Sequence, residues 1–206
     1  MKNCLRTEPS FDLRYERKYS FALPDAGLLW PQINLLGFEK SYPRRQVNSL
    51  YFDTPEYNFY HQSVNGVFDR KKVRIRWYGQ LEQEKYGAQL EVKYKQGELG
   101  GKKISKLPNF IFQENLERNF CRNFPDLNPT VLTVYQRSYF EHFLKRVRLT
   151  IDTNFKTNGV EHDFGVVEVK YPASFRDDNF IAEITEILPL QLSQFSKYTL
   201  GVGLLK

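Results

Sequence analysis

Charged and apolar residues alternate with a period of two in stretch after stretch of this chain. The fullest cases are Lys-Val-Arg-Ile-Arg-Trp-Tyr (72–78) and Gln-Leu-Glu-Val-Lys-Tyr-Lys (89–95). Successive strand side chains point to opposite faces, so Arg74 and Arg76 share one face while Val73, Ile75 and Trp77 share the other. The pattern returns in Arg14-Tyr-Glu16-Arg-Lys18, Tyr135-Gln-Arg137-Ser-Tyr139, Arg146 to Asp152 and Val167 to Lys170. One such strand is the solvated face of a half-exposed sheet. Repeated, with Arg and Lys dominating and a Glu interspersed in some strands, the cations repel unless something anionic sits among them. The pattern predicts a curved antiparallel sheet whose concave, basic face binds a polyanion.

The elements between these strands follow from local signals. A first strand is expected at Asp12 to Ala22, then a helix starting near Trp30, because Pro31 fits the first turn, and stopping at Gly37. A polar loop over Glu39 to Arg45 leads to a strand at Gln46 to Asp53, and Thr54 caps a helical turn over Pro55 to Gln62. The glycine-rich stretch between Lys95 and Lys106 reads as a mobile hairpin tip carrying Lys102, Lys103 and Lys106. Phe112, Leu116, Phe120 and Phe124 give Phe110 to Phe124 a helical core stripe. Strands follow at Val131 to Phe140, Lys145 to Thr153 and Gly165 to Tyr171, and a last helix at Asn179 to Leu188. The class is α+β: an antiparallel β-barrel with helices packed outside. Residues 1–10 form a flexible start and 11–206 a single domain.

Composition sharpens the functional side. The 206 residues carry a net charge of +6, which calls for an anionic partner. No signal peptide and no run of roughly 20 apolar residues is visible, so a cytoplasmic protein is expected. Cys4 and Cys121 match no metal or redox spacing, and His61, His142 and His162 are scattered. There is no Ser-His-Asp set and no dinucleotide fingerprint, and the glycine-rich stretch lacks the Walker order. For Glu16, Glu91 and Asp152 the expected role is an ion pair with a neighbouring cation. Glu168 differs, standing between two valines with Lys170 beside it. A lone carboxylate among cations is what a divalent metal bound to phosphates needs.

Taken in order, these segments resemble the catalytic domain of the vacuolar transporter chaperone (VTC) family, polyphosphate polymerases of the triphosphate tunnel, or CYTH-like, superfamily. The resemblance runs through Arg-Tyr-Glu-Arg-Lys (14–18), Ser-Leu-Tyr-Phe-Asp-Thr (49–54), Lys-Val-Arg-Ile-Arg-Trp-Tyr-Gly (72–79) and Leu-Glu-Val-Lys (90–93). It continues through Tyr-Gln-Arg (135–137), Arg-Val-Arg-Leu-Thr-Ile-Asp (146–152), Glu-Val-Lys (168–170) and Phe-Ser-Lys-Tyr (195–198).

The resemblance implies a tunnel of antiparallel strands in which the terminal phosphate of a nucleoside triphosphate passes to a polyphosphate chain. Arg74, Arg76, Lys93, Arg137, Arg148 and Lys197 become the catalytic cations. Lys18, Lys106, Lys103, Tyr135, Ser196 and Lys170 become phosphate contacts, and Glu168 holds Mn2+ or Mg2+. The implied partners are ATP and polyphosphate, with a membrane protein supplied by another chain and no specific nucleic acid. Hydrolytic members begin with alternating glutamates, whereas Arg14 stands first here, which favours transfer to phosphate over attack by water. A metal-dependent triphosphatase and a non-enzymatic polyanion binder are the alternatives.

Overall fold

A computed structural model describes residues 14–81, 87–97, 99–107, 120, 124–172, 174, 179–188 and 190–205. The strands are β1 (Arg14–Ala22), β2 (Phe38–Asp53), β3 (Asp69–Tyr78), β4 (Ala88–Gln96), β5 (Leu99–Leu107), β6 (Asn128–His142), β7 (Arg148–Thr157), β8 (Val160–Glu161), β9 (Phe164–Pro172) and β10 (Gln191–Leu192). The helices are α1 (Ala26–Leu35), α2 (Asn58–Val64), α3 (Asn179–Ile187) and α4 (Lys197–Gly203). The strands form one antiparallel, 10-stranded sheet in the order β10-β1-β9-β7-β6-β2-β3-β4-β5, with β8 beside β7. Mixed-sign alternation and apolar outer faces predicted this architecture, but barrel is too strong a word. Among the described residues β1 and β5 come close without pairing, and an ion pair of 3.1 Å from Lys93 on β4 to Glu16 on β1 spans the gap.

The convex face carries the core. Tyr19 and Phe21 of β1, Val167 and Val169 of β9, Leu149 and Ile151 of β7 and Phe140 of β6 pack under α1 and α3 through Leu29, Ile33, Phe180, Ile181 and Ile184. A second cluster covers the outer side of β2 and β3, where Phe52 stacks at 3.9 Å on Phe120 and Trp77 is buried. Of the other members of the expected stripe, Phe124 stacks on Phe120 at 4.8 Å but is exposed, and Phe112 and Leu116 lie outside the described residues. The helix α1 begins earlier than Pro31 suggests and keeps that proline inside. Burial of Leu29 and Ile33 on the sheet outweighs the one backbone bond that Pro31 removes.

Two further differences have physical causes. The strand β2 is 16 residues long and absorbs the polar segment 39–45 expected to be a loop. Register shifts between Lys40 and Tyr42 and between Tyr42 and Arg45 are the bulges that let Pro43 sit in a strand. The glycine-rich hairpin tip is instead the edge strand β5, fully paired with β4.

The C-terminal helix α4 lies within the concavity at the Asp53 end of β2. Tyr198 stacks on Tyr51 at 5.3 Å, and a Cβ on Gly201 would come within 2.3 Å of Val131. Ser196 caps the helix, its side chain accepting from the Thr199 N–H. Asp53 ties the parts together. Wholly buried, it accepts from the backbone N–H groups of Thr54, Phe59 and Tyr60 and from the Tyr198 hydroxyl, so one carboxylate caps α2 and anchors α4. Thr54, the expected cap, takes only the Asn58 N–H at 3.2 Å. Replacing Asp53 by Ala should lower stability by about 3 kcal/mol or more, since several charge-assisted bonds lose their acceptor together. Tyr198→Phe, which loses one of them, should cost about 1 to 2 kcal/mol. Urea melts of both variants decide it, and near-equal losses would contradict a shared anchor at Asp53.

Candidate anion-binding site

Directly paired residues of antiparallel strands project from the same side of a sheet. The observed registers therefore assemble the concave face row by row. Tyr51, Arg74, Glu91 and Ile104 form one row across β2, β3, β4 and β5; Ser49, Arg76, Gln89 and Lys106 form the next. Lys72, Lys93 and Lys102 make a third row, with Arg70 and Lys95 beyond it. On the other wall, Lys18, Glu168, Thr150 and Tyr139 line up across β1, β9, β7 and β6, flanked by Glu16, Lys170, Arg148 and Glu141. Cations from most strands of the sheet thus face one cavity.

Each buried carboxylate on this face is placed against a cation. Arg74 donates to Glu91 from Nε at 2.8 Å and to the Tyr51 hydroxyl at 3.0 Å. Arg137 grips Asp152 with two parallel bonds of 2.6 and 2.7 Å, and Lys197 adds a third at 2.6 Å. Burial pushes the Asp152 and Glu91 carboxyls up, but Arg137 and Lys197 for the first and Arg74 and Arg76 for the second outweigh it, and Glu91 settles at about 2. Burial and the nearby Glu168 push Glu16 up, yet Lys18, Lys93 and Lys170 hold it below the ordinary carboxylate range. Glu168, paired with Lys170, is likewise held low against its burial by Lys170, Lys18 and Arg137. Arg76 is less committed. It reaches Ser49 and the Tyr135 hydroxyl at 3.3 Å each and stands 3.9 Å from Glu91.

Lysines crowd the third row with little compensation. Lys72 donates to the Ser196 hydroxyl at 2.7 Å, and burial together with Lys18, Lys93, Arg70 and Lys95 drives its ammonium down to about 7. Lys93, Lys95 and Lys102 are pushed down too, burial being the largest cause in each. The segment before α4 closes in from above, with Lys18 donating to the Phe195 carbonyl at 3.3 Å and Lys197 lying 4.6 Å from the Tyr135 ring.

The residues expected from sequence fall in three places. Lys18, Arg74, Arg76, Lys93, Tyr135, Arg137, Glu168, Lys170, Ser196 and Lys197 meet around the cavity. Arg148 sits on the rim, more than half exposed, paired with Glu141 at 2.7 Å, and Lys106 is an exposed residue of the concave side. Lys103 is placed elsewhere: it pairs with Val92 and projects from the convex face, while its neighbour Lys102 faces inward 3.8 Å from Glu91. Tyr51, Arg70, Lys72, Lys95 and Lys102 were not singled out. The signal existed for most of them, since stepping by two from Arg74 gives Lys72 and Arg70, and from Lys93 gives Lys95.

A divalent cation fits this face only with help from its ligand. Among the described residues no three metal-ligating side chains gather. Glu168 is close enough to Glu16 to push its carboxyl up against the lysines, and the two make a seat of the kind Mg2+ uses when substrate phosphates supply the remaining oxygens. Lys170 and Lys18, now on those carboxylates, would turn to the phosphates.

The geometry is that of a CYTH-like tunnel fold: antiparallel strands curved around a basic cavity, helices outside. The fold recurs in a candidate adenylate cyclase from Vibrio parahaemolyticus (TM-score 0.56, 13% identity, covering 90% of this chain and 97% of that one). It recurs in another from Bacillus halodurans (0.56, 16%, 90% and 94%) and in the PH1012 protein of Pyrococcus horikoshii (0.59, 13%, 89% and 96%). The sequence matches the VTC domain over residues 13–206, and the chain belongs to that family. No curated protein matches it. Among the described residues no helix is long and apolar enough to cross a membrane.

Lys72 supplies a pH test. A bound polyanion offsets the crowding that depresses it and raises its pKa, so binding takes up a proton and weakens as pH rises above about 7. At pH 8 the wild type should take up about one proton more than Lys72→Met on binding tripolyphosphate, measured calorimetrically in buffers of different ionisation heat. The empty protein shows the complementary effect. Its unfolded state binds the extra proton between about pH 7 and the ordinary lysine value near 10.4, so stability rises with pH through that window. Equal proton uptake in both proteins would contradict a depressed Lys72.

Proposed function

We propose that this VTC-domain protein is a metal-dependent phosphotransferase that moves the terminal phosphate of a nucleoside triphosphate, ATP in the first instance, onto a polyphosphate chain in its basic cavity. The observation that carries the reading is the state of the carboxylates. Glu16, Glu91, Asp152 and Glu168 are all held by cations and kept ionised, so none of these four is poised with a raised pKa to take a proton from water. An ionised phosphate acceptor needs no such base. Phosphoryl transfer asks mainly for positioning and for charge stabilisation, which arginine forks and lysines provide.

In this reading Arg76, with its loose contacts, and Arg74 hold the transferring phosphate, while Arg137 and Lys197, locked on Asp152, fix the wall beside it. Glu168, seconded by Glu16, would hold the divalent cation, which would supply Lewis-acid neutralisation of the charge developing on the phosphates. The lysine row of Lys72, Lys93 and Lys102 carries the rest of the anion. The competing triphosphatase reading shares this seat and differs in the acceptor.

Purified protein with ATP and manganese should make long polyphosphate; orthophosphate alone as product would favour the triphosphatase reading, and no turnover the polyanion binder. Glu168→Gln should abolish turnover while leaving the protein folded, at a melting temperature lowered by the loss of one carboxylate from among the cations, and normal activity at saturating metal would reduce Glu168 to an ion-pair partner. Arg76→Ala should weaken tripolyphosphate binding by about 1.5 to 3 kcal/mol and erase most of the thermal shift the ligand gives. Because Arg76 adds to the crowding of cations while standing 3.9 Å from Glu91, the empty variant should melt no lower than the wild type. A ligand-induced shift equal to wild type would place Arg76 on a screened surface.

A further inference from the structure

Going along β2 from the end covered by α4, the concave face leads past Ser49 and Val47 to an open rim of a different character. There the Arg45 guanidinium lies 4.0 Å from the centre of the Tyr78 ring and 4.9 Å from that of Tyr139, and its Nε donates to the Tyr139 hydroxyl at 3.1 Å. Tyr42 meets Tyr139 edge-on at 5.8 Å and is 59% exposed. The registers set all four on the concave side: Tyr42 faces Tyr139, Arg45 faces Arg137, and Val47 faces both Tyr78 and Tyr135. The bulges between Lys40 and Arg45 turn Tyr42 and Arg45 to this side together.

This cluster does work the core does not require. A rim tyrosine left more than half exposed gains little from burial, and among the described residues Arg45 is held by tyrosines and pairs with no carboxylate. Planar π-faces and a guanidinium plane at the mouth of a phosphate-binding cavity are the groups on which a nucleobase stacks, while its phosphates run inward to fixed cations. Arg137 is two residues further in on β6, and the Tyr135 hydroxyl accepts from Arg76.

We propose that Tyr42, Arg45, Tyr78 and Tyr139 form a stacking platform for the base of a nucleoside triphosphate whose phosphates occupy the basic cavity. The assignment rests on the cavity being the phosphate site of the proposed function and adds where the base of that nucleotide is held and how bases are ranked. Contact through ring faces reads no base edge. Purines, with the larger face, bind tighter than pyrimidines, and adenine and guanine bind alike.

The experiment compares ATP, CTP and tripolyphosphate binding to the wild type, Tyr42→Ala and Tyr42→Phe by calorimetry with divalent metal present. Tyr42→Ala should weaken ATP about tenfold, leave tripolyphosphate unchanged and narrow the gap between ATP and CTP, while Tyr42→Phe restores ATP binding. Arg45→Gln should reproduce the nucleotide-specific loss. If both Ala and Gln variants keep wild-type ATP affinity, the platform is overturned and the phosphate site stands. Equal losses for ATP and tripolyphosphate also overturn it, since the rim then acts on the cavity as a whole. Failure of the wild type to bind either ligand removes the phosphate site itself, and the platform with it.

Discussion

Repulsion among like charges is the constraint this structure is built around. The sheet brings arginines and lysines from strand after strand onto one inward face, where water is scarce and each pair of cations costs more than it would on an open surface. Two devices keep that face together. Carboxylates are set between the cations, Asp152, Glu91 and Glu168 where burial is deepest and Glu16 where the face is partly open. Where they are absent, protons are given up instead, as the depressed Lys72 shows. Under the proposed function a bound polyanion would supply what both devices only approximate, and the empty fold would be preorganised for it.

The scaffold that bears this load is all on the other side of the sheet or at its ends. Apolar side chains of β1, β9, β7 and β6 pack beneath α1 and α3, and those of β2 and β3 around Phe120. Asp53 and Tyr198 lock α4 into the concavity, which positions Ser196 against Lys72 and Lys197 against Asp152. The apolar anchor of α4 therefore sets the polar geometry one turn before it. Burial and the acceptor Asp53 both push the Tyr198 phenol up, so it stays a donor at any ordinary pH.

Period-two alternation made the inward face legible because burial on the convex side forces every second residue to be apolar, leaving the others a single direction to point. Arg74, Arg76, Lys93 and Arg137 follow from that alone. The frame is lost where the apolar half is missing. Around Gly100 and Gly101 nothing marks inside from outside, so Lys103 was preferred although Lys102 is the inward residue. At Pro43 the bulges break the period, and a strand carrying Tyr42 and Arg45 read as a loop. Contacts between distant segments, such as Lys93 to Glu16 or Tyr198 to Asp53, leave no local trace in either partner's neighbourhood.

The partial closure of the sheet has its own logic. Backbone pairing between β1 and β5 would fix the width of the cavity, because hydrogen-bonded strands stand about 4.8 Å apart. Here the gap is spanned by Glu16, which holds Lys93 at 3.1 Å and Lys18 at 2.9 Å. Both lysines face the concave side, and Glu16 also belongs to the two-carboxylate seat proposed for a cation. Whatever draws Lys18 and Lys93 toward phosphate, or draws Glu16 toward a metal, loosens the same contact that holds the edges together. Closure and ligand binding compete for one set of charges. Under the proposed transfer, a wall that yields as each phosphate arrives suits a product that grows and must move on, whereas a closed, hydrogen-bonded barrel would hold it.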